Sequence, residues 1–259
     1  MIQCPNFQNE MESLKSVEDA LSWIAKLPHG TPRAIFRGQP QQKPLLPTLF
    51  RDKPIDGLRR IGGFKSLQAR ILDQFKSRAY PFLSVVPQTE LDWLVLAQHH
   101  GCPTRLLDWT GNPLVGLFFA SEKDDGADGV LWSITGFEWF VHDTPNEVLS
   151  SFQKAFVYTP KHITARIAAQ AAGFTVHAFS EDPCGQPTFQ TGADLQSPIL
   201  RPFAPNVPAG FVSQAIVPGA CKKTIRNQLH QLSIHREALF PGLDGISDHI
   251  KQIIEHDLE

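Results

Sequence analysis

Apolar residues fall at two distinct spacings along the chain, and the alternation between them sets out the elements. Ser16 followed by Asp19 pairs a capping hydroxyl with an acid three residues on, and Val17, Leu21, Ile24 and Ala25 continue at helical spacing until Pro28 and Gly30. The short run Ala34-Ile35-Phe36, bounded by Pro32 and Gly38, predicts a buried strand that delivers Arg37 at its end. Four prolines between Gln39 and Pro54 predict an irregular loop. A helix is expected from Ser66 to Ala79, with Leu67, Ile71, Leu72 and Phe75 on one face, and another from Glu90 to His100, ended by Gly101-Cys102-Pro103. Asn112 is placed to cap a helix opened by Pro113 and running through the almost wholly apolar stretch Leu114 to Ser121, which must be buried.

Beyond the turn residues Asp124 to Gly129, Val130 to Ile134 reads as a central strand, Phe174 to Phe179 as another and Phe211 to Val217 as a last one. Residues Ser180 to Gly210 are rich in proline, glycine and polar types and predict a long loop or insertion. Helices near Lys222 to Leu232 and Ser247 to His256 close the chain. Strands and helices mixed in this order predict an α+β fold with a central, largely antiparallel sheet and helices around it. The expected division is an N-terminal helix over 1–29 and one domain over 30–259 with a C-terminal helical extension.

Composition narrows the function classes. The 259 residues are 42% hydrophobic and 10% aromatic, enough for a sizeable core. A formal charge of −2 supplies no global positive field, so a nucleic-acid partner would need a local basic groove. Cys4, Cys102, Cys184 and Cys221 never form a C-x-x-C pair, which argues against a zinc site or a disulfide framework. The opening Met-Ile-Gln-Cys-Pro-Asn lacks a basic start before an apolar run, and no stretch nears the roughly 20 apolar residues that span a bilayer. A cytoplasmic address without membrane contact is expected.

The densest chemistry lies in Gln98-His99-His100-Gly101-Cys102-Pro103-Thr104-Arg105-Leu106-Leu107-Asp108-Trp109-Thr110-Gly111-Asn112, a polar run between two apolar helices. Polar groups beside apolar neighbours must pair with one another or face a ligand. Two readings of Arg105 and Asp108 stand side by side: a buried ion pair, or part of a site. Adjacent His99 and His100 point about 100° apart on a helix and rarely share one ion, so no metal is expected. Cys102, at the carbonyl end of a helix, is poorly placed for a thiolate, and neither a Gly-x-Ser-x-Gly elbow nor a phosphate-binding glycine loop occurs.

Phe36-Arg37-Gly38, followed by Trp93-Leu94-x-Leu-Ala-Gln98-His99-His100-Gly101-x-Pro103-Thr104-Arg105-Leu106-Leu107-Asp108-Trp109-Thr110-x-Asn112-Pro113, resembles the FRG domain family. Arg166-x-x-x-Gln170-x-x-Gly173-Phe174-Thr175 and Leu239-Phe240-Pro241-x-Leu243-Asp244-Gly245 continue the likeness, which runs from about residue 30 to 250. The motif order also resembles that of ADP-ribosyltransferases, which implies NAD as co-substrate and a protein, a nucleic acid or water as acceptor.

On that resemblance Arg37, Asp108 and Gln170 are the candidate catalytic residues. Phe36, Gly38, Gln98, His99, Thr104, Arg105, Trp109, Thr110, Asn112 and Arg166 would bind the cofactor. An arginine fork can grip a pyrophosphate with two hydrogen bonds, an aromatic ring such as Trp109 can stack on nicotinamide, and an anion can steady the oxocarbenium-like ribose left behind. The implied biology is a bacterial toxin or defence effector, with room for a regulatory partner. The alternative is a binding module without catalysis, in which Arg37, Lys43, Arg51, Arg59, Arg60, Lys65, Arg70, Lys76 and Arg78 line a basic face for a nucleotide or nucleic acid.

Overall fold

Ser16 does what its side chain foretells: its hydroxyl accepts from the Asp19 amide at 3.1 Å and starts helix α1 (Val17–Ala25). The computed structural model describes residues 11–27, 34–43, 45–51, 55–123, 126–135, 139–141, 156–160, 172–177, 180–181, 187–188, 211–243, 245–247, 250 and 254. Strand β1 (Ala34–Gln39) follows, then a 3-10 turn at Thr48–Phe50, α2 (Ile55–Ile61), α3 (Gly63–Ala79), α4 (Glu90–His99), β2 (Leu106–Thr110) and α5 (Pro113–Ser121). The rest comprises β3 (Gly129–Thr135), β4 (Trp139–Val141), β5 (Phe156–Thr159), β6 (Ala172–Val176), β7 (Ser180–Glu181), β8 (Pro187–Thr188), β9 (Phe211–Val217), α6 (Lys222–Gln231) and α7 (Arg236–Leu239).

The main sheet runs β4-β5-β6-β2-β1-β3-β9, antiparallel throughout except for the parallel pair β4 and β5. β7 and β8 form a separate small ribbon. The fold is therefore α+β with a largely antiparallel sheet, and no described helix is long and apolar enough to cross a membrane.

The two-residue alternation of strands divides the core. Phe36 of β1 packs with Val115, Leu117, Phe118 and Ala120 of α5, backed by Trp23 of α1 and Ile225 of α6. Leu106 of β2 packs with Leu94 of α4, Leu72 of α3 and Phe174 of β6. Ile35, Leu107, Trp109, Trp132 and Val157 point to the opposite face, where Leu45 of the proline-rich segment joins them. That segment is thus partly core: Leu45 and Leu49 are fully buried, because the prolines fix bends without making it polar.

Two polar anchors hold helices to the sheet. Thr89 caps α4 and its hydroxyl donates to Asp92 Oδ2 at 2.7 Å, while Tyr158 of β5 donates to Asp92 Oδ1 at 2.7 Å. Lys222, fully buried at the start of α6, donates through Nζ to the carbonyls of Pro40 at 2.8 Å and Lys123 at 2.9 Å.

Most expected elements occur, with shifted edges. The helix expected from Ser66 starts at Gly63, the strand expected from Phe174 starts at Ala172, the 3-10 turn lies inside the expected loop, and α2 follows in a stretch for which the pattern predicts no element. The larger correction is β2. The run between two apolar helices carries a strand at the sheet's centre, five residues long with Asp108 and Thr110 polar, too short for periodicity to declare. The terminal helix expected over 247–256 falls mostly outside the described residues.

Packing is tight at Gly38, where β1 meets α5. A Cβ there would lie 2.0 Å from the Gly116 carbonyl oxygen and 2.3 Å from the Ala120 nitrogen, both backbone atoms that cannot move alone. Gly38→Ala is expected to destabilise the fold by about 3 kcal/mol, at the upper end of overpacking costs. Urea unfolding of the purified variant checks this, and an unchanged midpoint would show that α5 does not rest on β1 in this way.

Candidate functional site

β1 and β2 are neighbours with one registered pair, Phe36 opposite Thr110. Past that pair the Arg37 guanidinium takes over: its Nη1 donates to the Asp108 carbonyl oxygen at 2.7 Å and stands 3.7 Å from Asp108 Oδ2. The Asp108 side chain is 58% exposed, whereas that of Arg37 is 17% exposed. A buried cation is thereby held under an open carboxylate at the middle of the sheet.

α4 fixes the carboxylate from the other side. Gln98 Nε2 donates to Asp108 Oδ1 at 2.8 Å. Gln98 Oε1 accepts from the Thr104 hydroxyl, whose own oxygen accepts from the Leu106 amide at 3.1 Å, so the orientation of the side-chain amide is set by its neighbours. Gln98 and Thr104 come close because α4 ends in a Schellman turn. Gly101 adopts φ +81°, its N–H donates to Gln98 O at 2.9 Å, and the Cys102 N–H donates to Ala97 O at 2.9 Å.

Beneath the sheet lies a second polar group. Arg105, Trp109, Thr175 and His177 are buried, and strand alternation with the β2–β6 register puts Trp109 and Thr175 on one side. Trp109 Nε1 donates to Thr175 Oγ1 at 2.9 Å, and Thr175 Oγ1 lies 2.9 Å from His177 Nε2. With its oxygen accepting from Trp109, the Thr175 hydroxyl donates a hydrogen bond to Nε2, which makes the imidazole the neutral tautomer protonated on Nδ1.

Burial drives the His177 pKa down to about 3, and the charges of Arg37 and Arg105 push the same way. Burial also lowers the pKa of both arginines, opposed by Asp108 for Arg37 and by Glu90 for Arg105. Each guanidinium has a buried Nε without a hydrogen-bond partner. Leaving such a group unpaired costs on the order of 1–3 kcal/mol, so these two atoms mark stored polarity in the interior.

The structure brings Arg37, Asp108, Gln98 and Thr104 together. Arg105 and Asp108 do not form an ion pair: Arg105 is buried on the His177 side, and the exposed Asp108 carboxylate faces Arg37 and Gln98. Trp109 is 2% exposed with its N–H committed to Thr175, which leaves no open ring face for stacking in this conformation. Phe36 belongs to the α5 core and Gly38 to the β1–α5 contact. The Thr110 hydroxyl receives the Asn112 amide at 3.0 Å, and Asn112 Oδ1 caps α5 by accepting from Leu114 N at 3.0 Å. His99 stacks edge-on against His100, which lies over Phe75. Arg166 and Gln170 lie outside the described residues.

Burial raises the Cys102 pKa, so its thiol stays protonated for a reason other than the helix dipole expected from sequence. Among the described residues no group of three His, Cys, Asp or Glu side chains gathers around a common point. His177 was not singled out by sequence reading. Its signal was Thr175-Val176-His177, two polar residues at strand spacing inside an apolar run.

Residues 32–129 match the FRG domain, so the chain carries an FRG domain spanning β1 to the start of β3, the segment that contributes Arg37, Gln98, Thr104 and Asp108. No curated protein and no solved structure matches the chain.

The imidazole's environment has a measurable consequence. Between its ordinary value of 6.5 and about 3, His177 is protonated in the unfolded chain and neutral in the folded one. The unfolded state therefore binds more protons in that window, and stability falls as pH drops from 6.5 toward 3. His177→Gln removes this slope. Denaturant midpoints measured from pH 7 to pH 4 should decline less in the variant than in the wild type, even where the variant starts lower. Parallel declines would show that His177 is solvated and free to ionise.

Proposed function

We propose that this FRG domain chain binds NAD against the Arg37–Asp108–Gln98 cluster and transfers its ADP-ribose to a macromolecular acceptor. The observation that carries the reading is the Asp108 carboxylate, more than half exposed yet oriented through both oxygens by Arg37 and Gln98. Open carboxylates on surfaces are usually free to rotate; a fixed one is suited to a charge that develops at a set position.

Loss of nicotinamide breaks the glycosidic C1′–N bond and leaves an oxocarbenium-like ribose, which a fixed anion stabilises at the moment of reaction. The incoming nucleophile forms the new bond at C1′ and gives up its proton, for which Asp108 is a base within reach of solvent. Arg37 serves twice in this reading. It holds the Asp108 backbone and side chain, and its positive charge offsets the phosphates of the dinucleotide. Gln98, oriented by Thr104, keeps the carboxylate from swinging toward solvent. Lys65, Arg70, Lys76 and Arg78 along α3 add positive charge from the same domain, in keeping with an anionic substrate or acceptor.

The test is incubation of the purified chain with labelled NAD and a mixed lysate, beside Arg37→Ala and Asp108→Asn. Wild type should label an acceptor or release nicotinamide. Asp108→Asn, which keeps the Gln98 contact and removes the charge, should lose roughly 100-fold or more in rate, as the removal of one transition-state partner does. Arg37→Ala should lose activity and the thermal shift given by NAD. No turnover and no thermal shift with wild type, together with salt-dependent retention of RNA or DNA, would replace this reading with a nucleic-acid-binding module.

A further inference from the structure

Three arginines gather where β1, β2 and the 3-10 turn meet, and the proposed chemistry uses one of them. Alternation along β1 turns Arg37 to the side of Ile35, which packs with Leu107 and Trp109. The β2–β6 register sets Thr175 on that side too, with Thr175 Oγ1 2.9 Å from His177 Nε2. The His177 amide in turn donates to the Arg105 carbonyl at 3.2 Å, and the charges of Arg37 and Arg105 both reach the imidazole. Arg51 arrives from the proline-rich segment. Its 3-10 turn is pinned to the residue before Arg105: the Leu49 amide donates to Thr104 O at 3.1 Å, and the Thr104 amide donates to Thr48 Oγ1 at 3.3 Å. Arg51 Nε donates to Leu46 O at 2.7 Å, and the Arg51 charge acts on Arg37.

Cations gathered in an interior repel one another and lose hydration. Two acids act against them: Asp108, 3.7 Å from Arg37 Nη1, and Glu90, whose charge reaches Arg105. Asp108 is more than half exposed, so solvent screens its share. Its contacts with Arg37, through carbonyl and carboxylate, both fall on Nη1. The Nε groups of Arg37 and Arg105 are buried without an acceptor. A guanidinium presents Nε and one Nη as a parallel pair of donors, the fork that phosphate oxygens match.

We propose that Arg37, Arg105 and Arg51 form an anion site for a phosphoanhydride, whose oxygens supply the acceptors that the two Nε groups lack. The inference rests on the Arg37 cluster being the ligand site of the proposed function, and it adds Arg105 and Arg51 as the residues that hold the phosphates. Entry is past Arg37, whose side chain keeps 17% of its surface open beside Asp108. The parts of a nucleotide are then divided on either side of that guanidinium, with the carboxylate toward the ribose and the cations toward the phosphates. In so dry a setting an anion between cations gains more than it would at a solvated basic surface.

Isothermal titration calorimetry with inorganic pyrophosphate, ADP and ADP-ribose gives the test, on the wild type beside Arg105→Gln and Arg51→Gln. Pyrophosphate should bind the wild type, and each substitution should weaken binding by at least about tenfold, as loss of one charge-assisted hydrogen bond does. Circular dichroism checks the fold of both variants. Arg51 is only half-buried, so Arg51→Gln keeps the test open if the Arg105 variant does not fold. A second readout is local. Pyrophosphate offsets the two cations that hold His177 neutral, so the imidazole resonances, identified by their loss in His177→Gln, should shift and their titration should rise from about 3. Tighter binding of ADP-ribose than of pyrophosphate assigns the phosphoanhydride to a nucleotide, the reverse order assigns it to an inorganic polyphosphate, and either supports the site. Absence of heat at about 10 mM pyrophosphate overturns the proposal. So does binding that both variants retain, or binding that leaves the His177 resonances in place. Pyrophosphate binding by a wild type that never turns over NAD keeps the anion site and removes the transferase reading. NAD turnover with KM unchanged in both variants does the opposite.

Discussion

The hydrogen bond from Arg37 to the Asp108 carbonyl is the contact on which the centre of this fold turns. Two adjacent strands ordinarily close a ladder along their length, but β1 and β2 meet at one registered pair and a side chain carries the connection past it. A guanidinium can do this because it is flat, carries several donors and stays charged even when burial lowers its pKa. It also explains why a cation tolerates a nearly closed position: the carbonyl and the carboxylate of the same residue compensate it together.

Placing a cation there imposes conditions on the surrounding sequence. α5 must approach β1 closely enough to seal the other side, which needs glycine at Gly38 and at Gly116, where a Cβ would meet Leu131 and Phe36 side chains. α4 must end in time to bring Thr104 back under Gln98, which its Schellman turn at Gly101 accomplishes. These residues are ones that the FRG domain match spans, and several of them serve the site by shaping the backbone alone.

Periodicity in the sequence made the helices legible: α1, α3, α4, α5 and α6 all announce themselves by apolar spacing, caps or stops. The buried strands β1, β3 and β9 were readable as short apolar runs. β2 was not, because Asp108 and Thr110 break its apolar run and the five residues are too few to show alternation. The site was legible to the level of the segment and no further. Arg37 and Asp108 could be named from their motif, but Trp109 was assigned a binding face that its core position withholds, since hydrophobic pattern cannot tell an aromatic that packs from one that stacks on a ligand. The link between Arg105 and Asp108 failed for a simpler reason. Arg105 lies just ahead of β2, buried with its carbonyl paired to the His177 amide, whereas the Asp108 side chain is exposed beside Arg37 and Gln98.

That opposition has a consequence for the electrostatics around Asp108. Arg37 and Arg105 are cations in the interior, and both press His177 toward its neutral form. The imidazole, which would otherwise change charge near neutral pH, stays neutral there and adds no pH-dependent charge behind the Asp108 cluster. A solvated histidine at this position would add and remove a positive charge behind the carboxylate with every small change of pH. The cost is borne by the fold at low pH instead of by the site. A neutral histidine buried under the influence of two arginines thus adds acid sensitivity to the core, while the exposed carboxylate is left to respond to whatever binds it.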